Sequence, residues 1–154
     1  MRALKLALSI SGLSLLTLLA ATSGPSQAQG PTFKLEVCNQ YRLPVAFALA
    51  HLTAPNERRF VARGWGALEK SGDCAAIEIP RAPFATLGIA IADNKIDKAW
   101  IGGQNNSQRI CITFEAFERV LTENYRCDES KGEFLADFQV WRAPNTGDFK
   151  VIFK

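Results

Sequence analysis

Short apolar segments alternate with turn-forming residues from position 32 to the end of the chain. In the segment FKLEVCN, Phe33, Leu35 and Val37 alternate with Lys34 and Glu36, which is the period of a strand with one buried face. The following segment, PVAFALAHL, is almost wholly apolar. Val45, Phe47 and Leu49 lie opposite alanines 46, 48 and 50, as expected where a second layer packs closely, and we predict a central strand rather than an edge strand there.

Further segments with strand character bring the total to about nine. They are RRFVARGW, CAAIEIP, TLGIAIAD, KAWIG, RICITF, FLADFQVW and DFKVIFK. Clusters of Gly, Pro, Asn and Asp separate them, as turns separate the strands of an all-β domain. The pattern predicts an all-β fold, a two-sheet antiparallel β-sandwich of about 8–9 short strands with at most one short helix.

One segment, FEAFERVL, has a helical period instead. Phe114, Phe117, Val120 and Leu121 are spaced as they would be on one face of a helix. The segment is short, so two interpretations remain open. It forms a helical turn or short helix after the RICITF strand, or it continues that strand through a bulge.

The first 28 residues have the layout of a secretory signal peptide. Arg2 and Lys5 precede an apolar run, and small residues lead to a cut site after Ala28. We predict cleavage there, which leaves residues 29–154 as a single periplasmic or secreted domain without a stable membrane span. The alternative is a retained transmembrane anchor, because the run of about 16 residues is only slightly shorter than the roughly 20 that cross a bilayer.

The charge of the chain changes when this segment is removed. The whole sequence has 18 basic and 15 acidic residues. Cleavage removes two basic residues and no acidic one, leaving 16 against 15, a net charge of +1. A nucleic-acid-binding domain normally has a strongly basic face, so the near-neutral balance argues against nucleic acid as a partner.

The cysteines all lie in the part predicted to be exported: Cys38, Cys74, Cys111 and Cys127. An even number of cysteines in an oxidising compartment predicts two disulfides, and four cysteines allow three pairings. With all thiols paired, no cysteine nucleophile remains. The sequence has no CxxC motif and one histidine, so we predict neither a metal site nor a cofactor.

No catalytic residue can be assigned from the sequence. His51 stands alone at the end of a buried strand, and a general base needs an orienting partner. The acidic residues of ADNKID and CDESKGE, including Asp97, Asp128 and Glu133, lack the regular spacing of calcium ligands. We expect them to be solvated turn carboxylates.

The densest basic and aromatic neighbourhood is the candidate binding site. It contains Arg58, Arg59 and Arg63 around the rings of Phe60 and Trp65. Aromatic rings beside guanidinium groups can hold sugars or anionic groups through stacking and charge. The alternative is an ordinary surface with one buried ring.

Several motifs around the cysteines resemble a known family. They are LEVCNQ, GW followed by GDC, AW with IGG, ICITF, and a late cysteine followed by GEF. In this order they resemble the bacterial exported proteins of the domain of unknown function 1036 family, over residues 35–140. The resemblance implies no established activity. Two departures stand out: Gly66 replaces a second tryptophan, and TLGIAIA replaces a tyrosine-rich strand.

Sequence order and adjacency favour the disulfide pairing of Cys38 with Cys74 and of Cys111 with Cys127. The missing catalytic constellation and the crosslinked scaffold favour a non-catalytic binding or structural module for an envelope protein or a glycan. One alternative is a hydrolase of cell-wall or other polysaccharides that uses carboxylates gathered by folding. Another is a small inhibitor of an envelope enzyme that presents one loop.

Overall fold

The computed structural model describes residues 30–54, 57–122 and 124–154, so the predicted signal peptide lies outside the described residues. Within these ranges the chain forms ten strands and one short 3-10 helix. The strands are β1 (Thr32–Asn39), β2 (Val45–Leu52), β3 (Arg59–Leu68), β4 (Cys74–Pro80), β5 (Phe84–Ala92), β6 (Lys95–Trp100), β7 (Ser107–Ile112), β8 (Phe117–Thr122), β9 (Phe134–Trp141) and β10 (Phe149–Phe153). The helix is Glu129–Lys131. The predicted all-β class is confirmed.

The strands form two sheets. The smaller sheet has the order β10-β1-β4, and the larger has the order β7-β9-β5-β2-β3-β8, with β6 also paired to β5. Among the described residues, every strand pair is antiparallel except β1 with β10, which is parallel. In the ranges that the structure describes, no helix is long and apolar enough to cross a membrane.

Both predictions for FEAFERVL are wrong: the segment forms no helix, and it does not continue the preceding strand. Residues 117–122 form a separate strand, β8, which pairs with β3, whereas β7 pairs with β9. Leu121 is buried and its neighbour Val120 is 60% exposed, as the two-residue period of a strand requires. The helical spacing was misleading because Phe114 lies outside β8 and does not contribute to a buried face.

β2 lies between β5 and β3 in the large sheet, which confirms the central strand, and both of its faces are covered. Val45, Phe47 and Leu49 belong to a first apolar cluster that includes side chains of both sheets. Ala48 and Ala50, on the opposite face, belong to a second cluster. Small side chains on this second face let the layers beyond it approach closely.

The second cluster shows that the large sheet curls. Ile110 and Ile112 come from β7 and Leu121 comes from β8, so strands at opposite ends of the sheet order share one core. Phe138 of β9, which is fully buried, fills this core between them. The two end strands therefore face each other across a seam.

The segment between β8 and β9 bridges this seam. Its Cys127 forms a disulfide with Cys111 of β7. Glu133, 4% exposed, pairs with the Arg119 guanidinium of β8 and accepts a hydrogen bond from the Tyr125 hydroxyl at 2.9 Å. The prediction of a solvated turn carboxylate is thus wrong for Glu133, because folding brings its partners from outside its own turn.

Glu133 makes the stability depend on pH. A hydrogen bond from the Asp128 backbone N–H, followed by those from Tyr125 and Arg119, holds the pKa of Glu133 below its usual range. A lowered pKa means that this stabilisation is present at neutral pH and is lost as the pH falls through the folded-state pKa.

We expect Glu133→Gln to unfold at lower urea concentration than the wild type at pH 7, with the difference shrinking towards about pH 3. The control is Glu69→Gln, which changes an exposed carboxylate before β4. Urea unfolding at both pH values measures the effect. A Glu133→Gln difference of equal size at the two values would contradict this role.

The two predicted disulfide pairings are both confirmed. Cys38 and Cys74 are directly opposite each other in the β1–β4 ladder and are bonded across it. Cys111 is bonded to Cys127, 16 residues later in the chain. No cysteine among the described residues is free. One disulfide therefore crosslinks the small sheet, and the other crosslinks the seam of the large sheet.

Candidate binding site

A bulge in β3 determines where Trp65 points. In the β2–β3 ladder, Ala48 pairs with Gly64 and Phe47 pairs with Gly66, so Trp65 has no partner on β2. An extra residue of this kind bends the strand and redirects its side chain. Trp65 consequently packs against the second apolar cluster.

The indole of Trp65 ties β3 to the connection between β7 and β8. Its Nε1 donates a hydrogen bond to the Thr113 backbone carbonyl at 2.9 Å. Its ring meets Phe117 edge to face, with 6.4 Å between the ring centroids. An indole N–H that is half-buried usually has such a partner, so Trp65 is part of the scaffold.

The glycines on either side of Trp65 have a packing reason. A Cβ at Gly64 would lie 2.5 Å from Cε1 of Phe117, and one at Gly66 would lie 2.4 Å from Cε1 of Phe47. Real Cβ atoms do not approach carbon so closely. The Gly-Trp-Gly sequence is therefore explained by two aromatic rings that lie directly against the backbone.

We expect Gly66→Ala to lower the free energy of unfolding by about 1–3 kcal/mol, because the new methyl group would have to displace the Phe47 ring. Gly103→Ala is the matched control, since a Cβ there would meet no atom within 4 Å. Urea unfolding of the two variants measures the difference. Equal midpoints would show that the ring yields without cost.

The predicted basic and aromatic neighbourhood is divided between the two faces of β3. Phe60 lines a cavity between β7 and β8, and Trp65 packs against the second apolar cluster on the same side. Arg59 and Arg63 lie on the opposite face of the strand, each beside a different cavity. Arg58 precedes β3 and is exposed. These five residues do not form one surface, although the bulge brings Arg63 and Trp65 to the same groove, described below.

The two arginines of β3 each have an acidic partner. Arg59 pairs with Glu57 at 2.9 Å, and Arg63 pairs with Glu118 of β8 at 3.0 Å. All four side chains are more than one-third exposed, so the pairs are expected to add little to stability. They do hold the guanidinium groups in place.

An apolar groove with a volume of about 290 Å³ lies beside Trp65. Its walls come from both sheets and from the β7–β8 connection. The residues that matter for recognition are Phe47, Leu49, Arg63, Trp65, Ile77 and Ala116. The groove is thus mostly hydrocarbon, with one cation.

The β7–β8 connection, residues 113–116, presents Phe114 and is named the Phe114 loop here. Phe114 is 76% exposed, the largest value among the large apolar side chains that the structure describes. Its ring contacts Phe134, with 4.6 Å between centroids. The Trp65 indole holds the Thr113 carbonyl, and the Thr113 hydroxyl donates to the Glu115 carbonyl at 3.1 Å. An exposed ring is therefore carried on a tethered backbone.

The sequence did not identify Phe114 as a surface residue. After the buried positions 110 and 112, position 114 would fall on the buried face if β7 continued. The strand ends at Ile112, and the loop turns the ring outward. Whether Phe114 is buried or exposed thus depends on where β7 ends, and the sequence does not mark that position.

The described residues contain one group with the spacing of metal ligands: Glu36, Cys38 and Cys74. Both cysteines are joined in a disulfide, so they have no thiolate to offer a metal ion. This group is accounted for by the crosslink.

Comparisons with known proteins add no assignment: no family model, no curated protein and no solved structure matches the chain. The resemblance to the domain of unknown function 1036 family stays a prediction.

Proposed function

We propose that this chain is an exported, non-catalytic binding module that recognises a protein of the cell envelope through the Phe114 loop and the groove beside it. The observation that carries the proposal is the combination at Phe114 of a ring that is 76% exposed with a backbone tethered by Trp65. The Cys111–Cys127 disulfide begins two residues before the loop and limits its movement further.

Tethering of this kind favours binding. Aromatic and arginine side chains contribute most of the binding energy in many protein interfaces. A loop that is already ordered loses less conformational entropy when it binds, which improves affinity. Phe114 supplies such a ring, and Arg63 is an arginine at the adjoining groove, held by Glu118.

The groove indicates the chemistry of the partner. Phe47, Leu49 and Ile77 line it with hydrocarbon, so it suits an apolar side chain of the partner. Ala116 of the Phe114 loop also lines the groove, and the exposed ring of Phe114 in the same loop suits an apolar pocket. The proposed partner is therefore a folded protein with a knob and a hole that complement these two features.

Two features of the chain support export. Disulfides form and persist in oxidising compartments, and this chain uses all four of its cysteines in disulfides. The first 28 residues have the composition of a signal peptide. We accordingly propose a periplasmic or secreted location, in agreement with the resemblance to an exported bacterial family.

Site-specific photo-crosslinking tests this function. A photoreactive phenylalanine analogue is placed at position 114, or at position 96 as the control, because Ile96 is 60% exposed on β6 and lies outside the groove. We expect one discrete protein adduct in the envelope from position 114 only. Equal labelling from both positions would contradict the proposal, and so would binding of purified cell-wall polysaccharide alone.

The adduct is then identified, and the partner is purified for affinity measurements. We expect Phe114→Ala to weaken binding by at least about tenfold and Ile96→Ala to leave it unchanged, because a hot-spot aromatic typically contributes more than about 1.4 kcal/mol. If both variants bind like the wild type, the Phe114 loop is not the interface.

A further inference from the structure

A second, polar cleft lies far along β3 from Trp65 and is independent of the proposed protein interface. Its volume is about 790 Å³, and it lies between the first residues of β1, the last residues of β2 and β4, and the start of β3. The side chains that give it polar character are Thr32, His51, Thr53, Glu57, Arg59 and Glu78.

The threonine hydroxyl groups of this cleft already donate hydrogen bonds to carboxylates of the protein. The Thr32 hydroxyl donates to Oε1 of Glu78, and the Thr53 hydroxyl donates to Oε2 of Glu57. Arg59 also donates to Oε2 of Glu57, through Nη2 at 2.9 Å. The groups that remain for a ligand are therefore mainly acceptors, namely carboxylate and hydroxyl lone pairs.

His51 adds another acceptor. Its residue is 8% exposed, and its Nδ1 lies 2.9 Å from the Leu52 carbonyl oxygen. A carbonyl cannot donate, so Nδ1 carries the proton. Burial lowers the pKa of His51, so the ring is neutral at pH 7 and Nε2 has a free lone pair.

Nε2 is the ring nitrogen of His51 that remains for a ligand. No hydrogen bond joins it to another described residue. It is also not among fully buried polar atoms without a partner, since the described residues contain none of these. His51 lines the cleft and is 8% exposed, so the part of the residue that stays accessible lies at the cleft.

The arrangement is too wide for one metal ion. The ligand atoms of His51, Glu57 and Glu78 do not all lie within 4.8 Å of one another, because the group at Glu36 is the one set in the described residues that does. The cleft has two carboxylates and one guanidinium, hence one negative charge in excess. A ligand that complements the cleft is therefore a positively charged hydrogen-bond donor larger than a single metal ion.

We propose that this cleft binds a ligand through an ammonium or guanidinium group, which donates to His51 Nε2 and to the Glu78 carboxylate. Two sources share this chemistry, a free amine and a lysine or arginine side chain of a peptide. A charge-assisted hydrogen bond to a carboxylate is roughly twice as strong as a neutral one, so Glu78 is expected to contribute more than His51.

Titrations of the oxidised chain with putrescine and with a lysyl-lysine peptide distinguish the sources, followed by NMR of the single histidine ring. We expect one of them to shift the His51 ring signals saturably, and its fully acetylated form to leave them unchanged. Glu78→Gln should weaken that binding by about tenfold or more, whereas Glu115→Gln, in the Phe114 loop, should not.

Two results would overturn the proposal. One is the absence of a saturable shift with either amine at concentrations up to tens of millimolar. The other is equal affinity of the wild type and Glu78→Gln. Neither result bears on the Phe114 loop, which uses different residues, so failure here and failure of the proposed function can be told apart.

Discussion

Phe138→Ala is expected to lower the free energy of unfolding by about 3–5 kcal/mol, the usual cost of removing a buried ring. Phe138 is fully buried in the second apolar cluster, between strands from the two ends of the large sheet. Its neighbours in the cluster are buried side chains on several strands, including Ile110, Ile112 and Leu121, and we expect them to fill the space only in part. The resulting cavity is therefore expected to persist and to place the effect in the upper part of this range.

Leu135→Ala is the matched control, because Leu135 lies on the same strand and is 55% exposed. We expect it to change stability by less than about 0.5 kcal/mol. Urea unfolding followed by tryptophan fluorescence measures both variants. A loss below about 1 kcal/mol for Phe138→Ala would contradict the second core and the curl of the sheet inferred from it.

Removal of the Cys38–Cys74 disulfide is expected to have the other large effect. It closes a span of 36 residues, against 16 for Cys111–Cys127. In the chain-entropy description, stabilisation grows with the logarithm of the loop length, to about 4 kcal/mol for the longer span and about 3 kcal/mol for the shorter. The order of the two values is the specific prediction.

The comparison uses two double variants, Cys38→Ala with Cys74→Ala, and Cys111→Ala with Cys127→Ala, so that no free thiol remains in either. Both are unfolded in urea beside the oxidised wild type. If the Cys111–Cys127 double variant is the less stable of the two, closure of the seam contributes more than loop length alone. The entropic ordering would then be wrong.

The strands were largely predictable because most of them alternate with a period of two. Val45, Phe47 and Leu49 showed a covered face, and the alanines between them showed a second covered face. The exception was β8, where Phe114 added a false member to a helical pattern. Pairing with β3 determines the extended conformation of β8. The paired residues of β3 lie about 55 or more positions earlier in the chain, so a local pattern cannot reveal them.

The candidate site was only partly predictable, for two physical reasons. Alternation along β3 separates Arg59 and Arg63 from Phe60, although they are neighbours in sequence. The bulge at Trp65 then redirects the ring, and a bulge depends on the partner strand as well as on the local sequence. The contact of Trp65 with Thr113 also lies outside any local pattern, because it spans 48 residues.

The burial of Glu133 was not predictable either, because it depends on partners from outside its own turn. Its partners, Arg119 and Tyr125, lie on the other side of the seam or in the bridging segment. Arg119 belongs to β8, and the curl of the large sheet places it beside the carboxylate. A turn-like sequence thus contains a buried ion pair whose presence depends on the whole topology.

The proposed function requires that the loop presenting Phe114 is as ordered as the strands beside it. Backbone ¹⁵N relaxation of Phe114 and Glu115 tests this most directly. We expect order parameters of about 0.85, equal to those of β3, and a decrease in Trp65→Phe, which lacks the indole N–H that holds the Thr113 carbonyl. Values below about 0.6 in the wild type would show a flexible loop and would contradict the proposed role of the Phe114 loop.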